Sequence, residues 1–169
     1  MDYLDVPYFK QDTLYTCGPT SLQMVFAYYG IRESESALAK ELVADPQTGT
    51  THEQMIAAAK KHGFYSYVNN HSAFEELGYL LYTHRAPCII RYLEAGMNED
   101  HYAVVVGLSN DEIALHDPWH GARLTLPREE FETRWKCDML GDCNHWVMAI
   151  TREPLPFGRQ YHPADTAAA

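Results

Sequence analysis

Four cysteines and nine histidines stand among the 169 residues, and the first question is which thiol could ionise. Cys17 is followed by Gly18, Pro19 and Thr20, then by the apolar set Leu22, Met24, Val25, Phe26, Tyr28 and Tyr29, ending at Gly30. That pattern predicts a buried helix starting at or near the cysteine, because proline is favoured in a first turn and glycine at a stop. A thiol placed there meets unbonded backbone N–H groups and the positive end of the helix dipole, which favour a thiolate. Cys88, inside apolar "APCIIRYL", is the opposite case, a thiol whose burial disfavours ionisation. No second cysteine is close enough to Cys17 for a C-x-x-C redox pair. Cys137, Cys143 and His145 lie near one another, but three ligands in one loop without a fourth make a weak zinc pattern. Unpaired thiols or a loop disulfide stand open beside it.

A nucleophilic thiol needs a base to take its proton, and the base needs a group to hold it. His52, His62 and His84 fall in or at the ends of predicted helices beside charged residues, a solvated setting. His71 precedes a helix and His162 falls near the end of the chain. His116 and His120 flank Asp117, and His145 opens the last predicted strand, so these three are weaker candidates. His101 opens "HYAVVVGL" after the polar turn "AGMNED", at the mouth of a strand that is otherwise apolar. The next strand, "EIALHD", returns through Ser109-Asn110-Asp111 and ends at Asp117. A three-residue turn centred on Asn110 sets Asp117 opposite Ala103, on the face of His101, with Leu115 against Val105 and Ile113 against Gly107. Gln11, six positions before Cys17, then acquires a role. Its amide, with the Cys17 backbone N–H, could donate to an oxyanion beside the sulfur.

The elements that must position these residues divide the chain in two. Ahead of residue 85 the pattern is helical. Beyond the Cys17 helix, Ser34 introduces "ESALAKELV", and two capping boxes, Thr51 with Gln54 and Ser72 with Glu75, precede apolar helical runs. One short strand is expected near "FYSYV". The second half changes period to short β-branched and aromatic segments parted by turn residues, which read as an antiparallel sheet. "PREEFETRW" is expected as a helix between the last two strands. Helices followed by an antiparallel sheet make an α+β fold. Residues 1–152 are expected as one domain and 153–169, with three prolines and no periodicity, as an extended tail.

Composition narrows the partners. The net charge is −10 with no basic cluster of five or more residues, so nucleic acid is not an expected partner. No apolar run approaches the roughly 20 residues of a bilayer span, and Met1 leads into polar "DYLDVPYFKQD", not a signal sequence. The expectation is therefore a cytoplasmic chain, or a secreted one if a signal was trimmed, with its thiols reduced.

"VPYFKQDTLYTCGPTSLQMVFAYYG", "GTTHEQMIAAAKKHGF", "DHYAVVVGL" and "HDPWHG", in this order, resemble the C39-like peptidases of the papain-like cysteine protease superfamily. The resemblance covers about residues 5–150. It implies Cys17 as nucleophile, His101 as general base, Asp117 as its orienting residue and Gln11 as oxyanion donor. It also implies a helical lobe packed on an antiparallel sheet with the cleft between them. The reaction implied is hydrolysis of a peptide or protein substrate through a Cys17 thioester, with no metal or organic cofactor required. One branch of the family cleaves double-glycine leader peptides and usually carries an acidic residue just before its cysteine. Thr16 stands here, and "CGPT" looks more like the free-standing group. Two alternatives share the site, an acyl or peptidyl transferase and a non-catalytic peptide-binding module.

Overall fold

In the computed structural model, residues 1–138 and 143–163 are described. The helix predicted at the cysteine is α1 (Cys17–Tyr28), closed by Gly30 in the left-handed region. Next come α2 (Glu35–Glu41), capped by Ser34, and α3 (His52–Lys61), whose capping box joins Thr51 and Gln54 as expected. After β1 (Tyr65–Asn69) the expected second capping box does not form. Helix α4 (Phe74–Gly78) starts from Ala73 without a side-chain cap and runs into a π-helical turn, Tyr79–Thr83. Ser72 is diverted, since its carbonyl meets the His145 ring and its buried hydroxyl has no partner.

Strands β2 (Cys88–Leu93), β3 (Asp100–Leu108), β4 (Glu112–Asp117), β5 (Gly121–Pro127), β6 (Val147–Thr151) and β7 (Gln160–Tyr161) complete the set, with α5 (Arg128–Arg134) between β5 and β6. All seven strands form one antiparallel sheet in the order β5-β4-β3-β2-β6-β1-β7. Helix α1 packs against β3 and carries α2 and α3 on its other sides, so the helical lobe rests on the centre of the sheet. Gly18 permits the α1–α3 approach, because a Cβ there would lie 3.1 Å from Met55 Sδ and Thr50 Cβ. No helix among the described residues is long and apolar enough to cross a membrane.

The β3–β4 register departs from the simple turn. Leu115 faces Val105 as expected, but Ile113 faces Leu108 instead of Gly107, because the ladder shifts between Val105 and Gly107. The bulge turns the Val106 carbonyl away from β4, and Leu4 N–H donates to it at 2.7 Å. A side chain at Gly107 would collide with this incoming segment, its Cβ falling 2.9 Å from the Asp2 carbonyl oxygen. The shift is confined to the far end of the pair. At the near end Val104 faces His116, which keeps His101 and Asp117 on one face.

Cys137 and Cys143 are joined by a disulfide, so the expectation of reduced thiols holds for Cys17 and Cys88 only. The Lys136–Asn144 bridge and a Cys137 N–H to Cys143 O bond fold this loop back on itself, bringing the two Cα atoms to 5.4 Å.

Beyond Arg152, where the pattern predicts an extended appendage, the chain docks. Leu155 is buried, Phe157 packs edge-on to Tyr67, and β7 pairs with β1. These anchors are irregularly spaced, so no periodicity announces them. Deleting residues 153–169 is expected to remove about 2–4 kcal/mol of apolar burial, lowering the melting midpoint by about 5–10 °C. Calorimetry of the truncated chain checks this, and an unchanged midpoint would mean that the docking is energetically idle.

Candidate active site

Cys17 is the first residue of α1 and is buried, with its thiol on the wall of a cleft of about 430 Å³ that Tyr15, Thr50, Arg91 and Tyr102 also line. His101, near the start of β3, is the charged group neighbouring the sulfur, and the Tyr102 backbone N–H lies beside the same atom. On its other side His101 Nε2 lies 2.9 Å from Asp117 Oδ1, which leaves Nδ1 for the sulfur. Asp117, at the end of β4, is fully enclosed. Its Oδ1 also accepts the backbone N–H groups of Trp119 and His120, each at 2.8 Å, while Tyr92 donates its hydroxyl to Oδ2 at 2.5 Å. The carboxylate is thus fixed by the turn that follows it and by the strand behind it.

The electrostatics follow from these contacts. Burial alone would raise the Cys17 pKa, but the charge and hydrogen bond of His101, the Tyr102 N–H and the Arg91 charge together bring it below the usual thiol range. For His101, burial alone would lower the value. The Cys17 charge and the bond to Asp117 outweigh it and push the imidazole up to about 10. Burial works against ionisation of Asp117 as well, yet the His101 bond and charge hold it down at about 2. A thiolate–imidazolium pair flanked by a carboxylate is the charge state these shifts describe. Cys88 behaves as predicted from its apolar setting, since burial pushes its thiol well up.

Gln11 is buried on the loop before α1, and its backbone N–H donates to the Pro118 carbonyl at 2.9 Å. It shares a small recess with His101 and Trp119. Its side-chain Nε2 donates to Thr13 O at 2.6 Å, leaving the amide's second N–H for another acceptor. Thr13 is braced in turn by a 2.8 Å hydroxyl contact with Thr16, the residue at the N-cap position of α1.

All four residues singled out in the sequence therefore converge on one place, and of the three weaker histidines only His120 comes near it. His116 is tied to the Val6 carbonyl and accepts from Arg123 N–H, while His145 lies against the Ser72 and Glu132 carbonyls. His120 pairs with Glu94 at 2.6 Å, and its ring centroid is 6.4 Å from that of His101. His52, expected in a solvated setting, instead stacks on Trp146 with ring centroids 3.9 Å apart. Sequence reasoning missed Tyr92, although it faces His101 directly across the β2–β3 ladder. It also missed Arg91, buried in the cleft wall with its Nη2 3.6 Å from Asp100 Oδ2 and its Nη1 donating to Thr50 O. Both sit in β2, where every residue is buried; an arginine amid apolar neighbours was the signal in the sequence, and strand pairing fixes what it and Tyr92 meet.

Compared with known proteins, residues 3–138 match the model of the Peptidase_C39 like family. The chain is 36% identical over 121 residues to the transport/processing ATP-binding protein ComA of Streptococcus pneumoniae, a match covering 70% of this chain and 16% of that protein. It thus spans about a sixth of the length of that curated relative. Among solved structures, the peptidase domain of Streptococcus ComA superposes with a TM-score of 0.69 at 23% identity, covering 86% of this chain and 98% of that one. A double glycine motif protease from an AMS/PCAT transporter, in complex with the leader peptide, superposes with a TM-score of 0.68 at 21% identity, covering 88% and 93%.

Proposed function

The chain belongs to the Peptidase_C39 like family, papain-like cysteine peptidases, and from that premise we propose that it hydrolyses peptide bonds through a thioester on Cys17. The Cys17 thiolate attacks the peptide carbonyl carbon, and the carbonyl π electrons move to oxygen. The Cys17 backbone N–H and the free N–H of Gln11 receive the oxyanion. His101, already protonated, gives its proton to the departing amine as the C–N bond breaks. It then takes one from water, whose oxygen displaces the sulfur. Asp117 keeps the imidazole turned toward the sulfur throughout. The observation that carries this reading is the placement of His101, bonded to Asp117 at 2.9 Å on one side with the Cys17 sulfur as its neighbour on the other. A peptide substrate is in keeping with the leader-peptide complex of the similar transporter protease.

A peptide-library digest with Cys17→Ala as control tests the assignment. Cleavage by the parent chain and none by the variant is the expected result, whereas no cleavage by either would favour a peptide-binding module. Adding an amine nucleophile during turnover separates hydrolysis from transfer, since a transferase would divert the acyl group to the amine. Gln11→Ala is expected to lower kcat by about 10²- to 10³-fold with little change in KM, the loss typical of one oxyanion donor. An unchanged kcat would remove Gln11 from the site.

A further inference from the structure

The Cys137–Cys143 loop has a histidine partner that the sequence does not reveal. His145, next in the loop, points elsewhere, its ring stacked on Trp135 and both nitrogens lying against backbone carbonyls. His52, the first residue of α3, comes to the loop instead. A ring nitrogen of His52 and the two sulfurs all lie within 4.8 Å of one another. His52 Nε2 is buried and has no hydrogen-bond partner. A neutral imidazole with that nitrogen unpartnered offers its lone pair to a cation. An uncharged imidazole beside two sulfurs is a soft donor set that zinc prefers.

We propose that, once the disulfide is reduced, His52, Cys137 and Cys143 form a three-ligand site for a thiophilic cation of the Zn²⁺ class. A tetrahedral zinc ion holds sulfur at about 2.3 Å and nitrogen at about 2.0–2.1 Å, which spaces its ligand atoms by about 3.3–3.8 Å. Cα atoms 5.4 Å apart allow the sulfurs to reach that spacing by side-chain rotation. A dithiol supplies the reduction. Two electrons and two protons pass to the cysteine sulfurs as the dithiol closes to its own disulfide. Metal binding then expels the two thiol protons, and His52 contributes its lone pair with no proton change. His52 also lines, with Glu53 and Trp146, a pocket of about 410 Å³. The loop also touches the cleft wall, since Asp138 N–H donates to Asp100 Oδ1 at 2.9 Å.

The test uses the full chain carrying Cys17→Ala, because Cys17 and His101 are themselves a thiol–imidazole pair that would capture zinc. The protein is reduced with a dithiol, freed of it without oxygen, and titrated with Co²⁺ and then Zn²⁺. One Co²⁺ per chain is expected, with thiolate-to-cobalt charge transfer in the near ultraviolet and tetrahedral d–d bands, displaced by one Zn²⁺. The oxidised protein should show none of this. His52→Asn should weaken binding by about 100-fold or more, as loss of one of three ligands requires. Should that variant unfold, as circular dichroism would show, the Cys137→Ser, Cys143→Ser double variant keeps the His52 stack and must lose the charge-transfer band. Absent uptake by the reduced chain, equal uptake by folded His52→Asn, or a charge-transfer band surviving in the double serine variant would overturn the site. Cleavage is not a readout here, so the peptidase reading stands or falls separately.

Discussion

Replacing His101 by alanine is expected to lower kcat by about 10⁴-fold or more, because base and leaving-group acid disappear together. The same substitution should change Cys17 in a direction set by its surroundings. In the parent chain the thiol is held low by His101 against the opposing effect of burial. With the imidazole gone, burial is left facing only the Tyr102 N–H and the Arg91 charge, so the value should climb to or beyond that of an ordinary thiol, about 8.5. Iodoacetamide labelling mapped by mass spectrometry across pH reads this directly. The parent Cys17 should react in mildly acidic solution, where Cys88 is silent, and the His101→Ala protein should react only in alkali. At the upper end the ion pair persists until His101 loses its proton, at about 10. A parent Cys17 no more reactive than Cys88, or a profile untouched by His101→Ala, would dismantle the assignment.

Asp117→Ala is expected to cost about 10³- to 10⁴-fold in kcat, and the surrounding contacts explain why asparagine should be milder. Alanine strands the Tyr92 hydroxyl and the Trp119 and His120 N–H groups, all of which now meet the carboxylate. Asparagine keeps one oxygen for His101 and those two N–H groups, while its amide donates to the Tyr92 hydroxyl, which can also accept. Geometry survives and charge is lost, so the cost should fall to about 10²-fold, with the His101 pKa dropping from about 10. Nuclear magnetic resonance titration of the imidazole follows that drop. Tyr92→Phe removes one neutral donor and should cost less than about tenfold, in keeping with a single buried hydrogen bond. Equal losses in Asp117→Ala and Asp117→Asn, with no movement of the His101 titration, would reduce Asp117 to a packing residue.

Cys17 was legible because proline and glycine punctuate the backbone locally, and a helix start is a local event. His101 and Asp117 were legible through alternation, which survives so long as the register near the site is regular, and Val104 facing His116 keeps it so. The bulge at Val106 was not, because the Leu4 N–H that meets its carbonyl arrives from about 100 residues away. Tyr92 and Arg91 were hidden in β2, where every residue is buried. Side-chain polarity there serves neighbours known only after strand pairing. His52 was misjudged for a related reason, since the ring it stacks on belongs to Trp146. The Cys137–Cys143 disulfide turns on chain reversal at Lys136 and Asn144, which spacing alone leaves undecided.

The segment ahead of α1 is stitched to the sheet before it ever reaches the helix. Leu4 N–H bonds Val106 O, Val6 O meets the His116 ring, Tyr8 donates to the Asp117 carbonyl, and Gln11 N–H bonds Pro118 O. These bonds close loops of roughly 100 residues, and closures of that length come late and slowly in folding. Helices and hairpins can assemble beforehand, but Cys17 is delivered to His101 only when the strap is seated. Until β3 and β4 have formed, His101 and Asp117 are not in place, and Cys17 lacks the neighbours that lower its pKa in the folded chain.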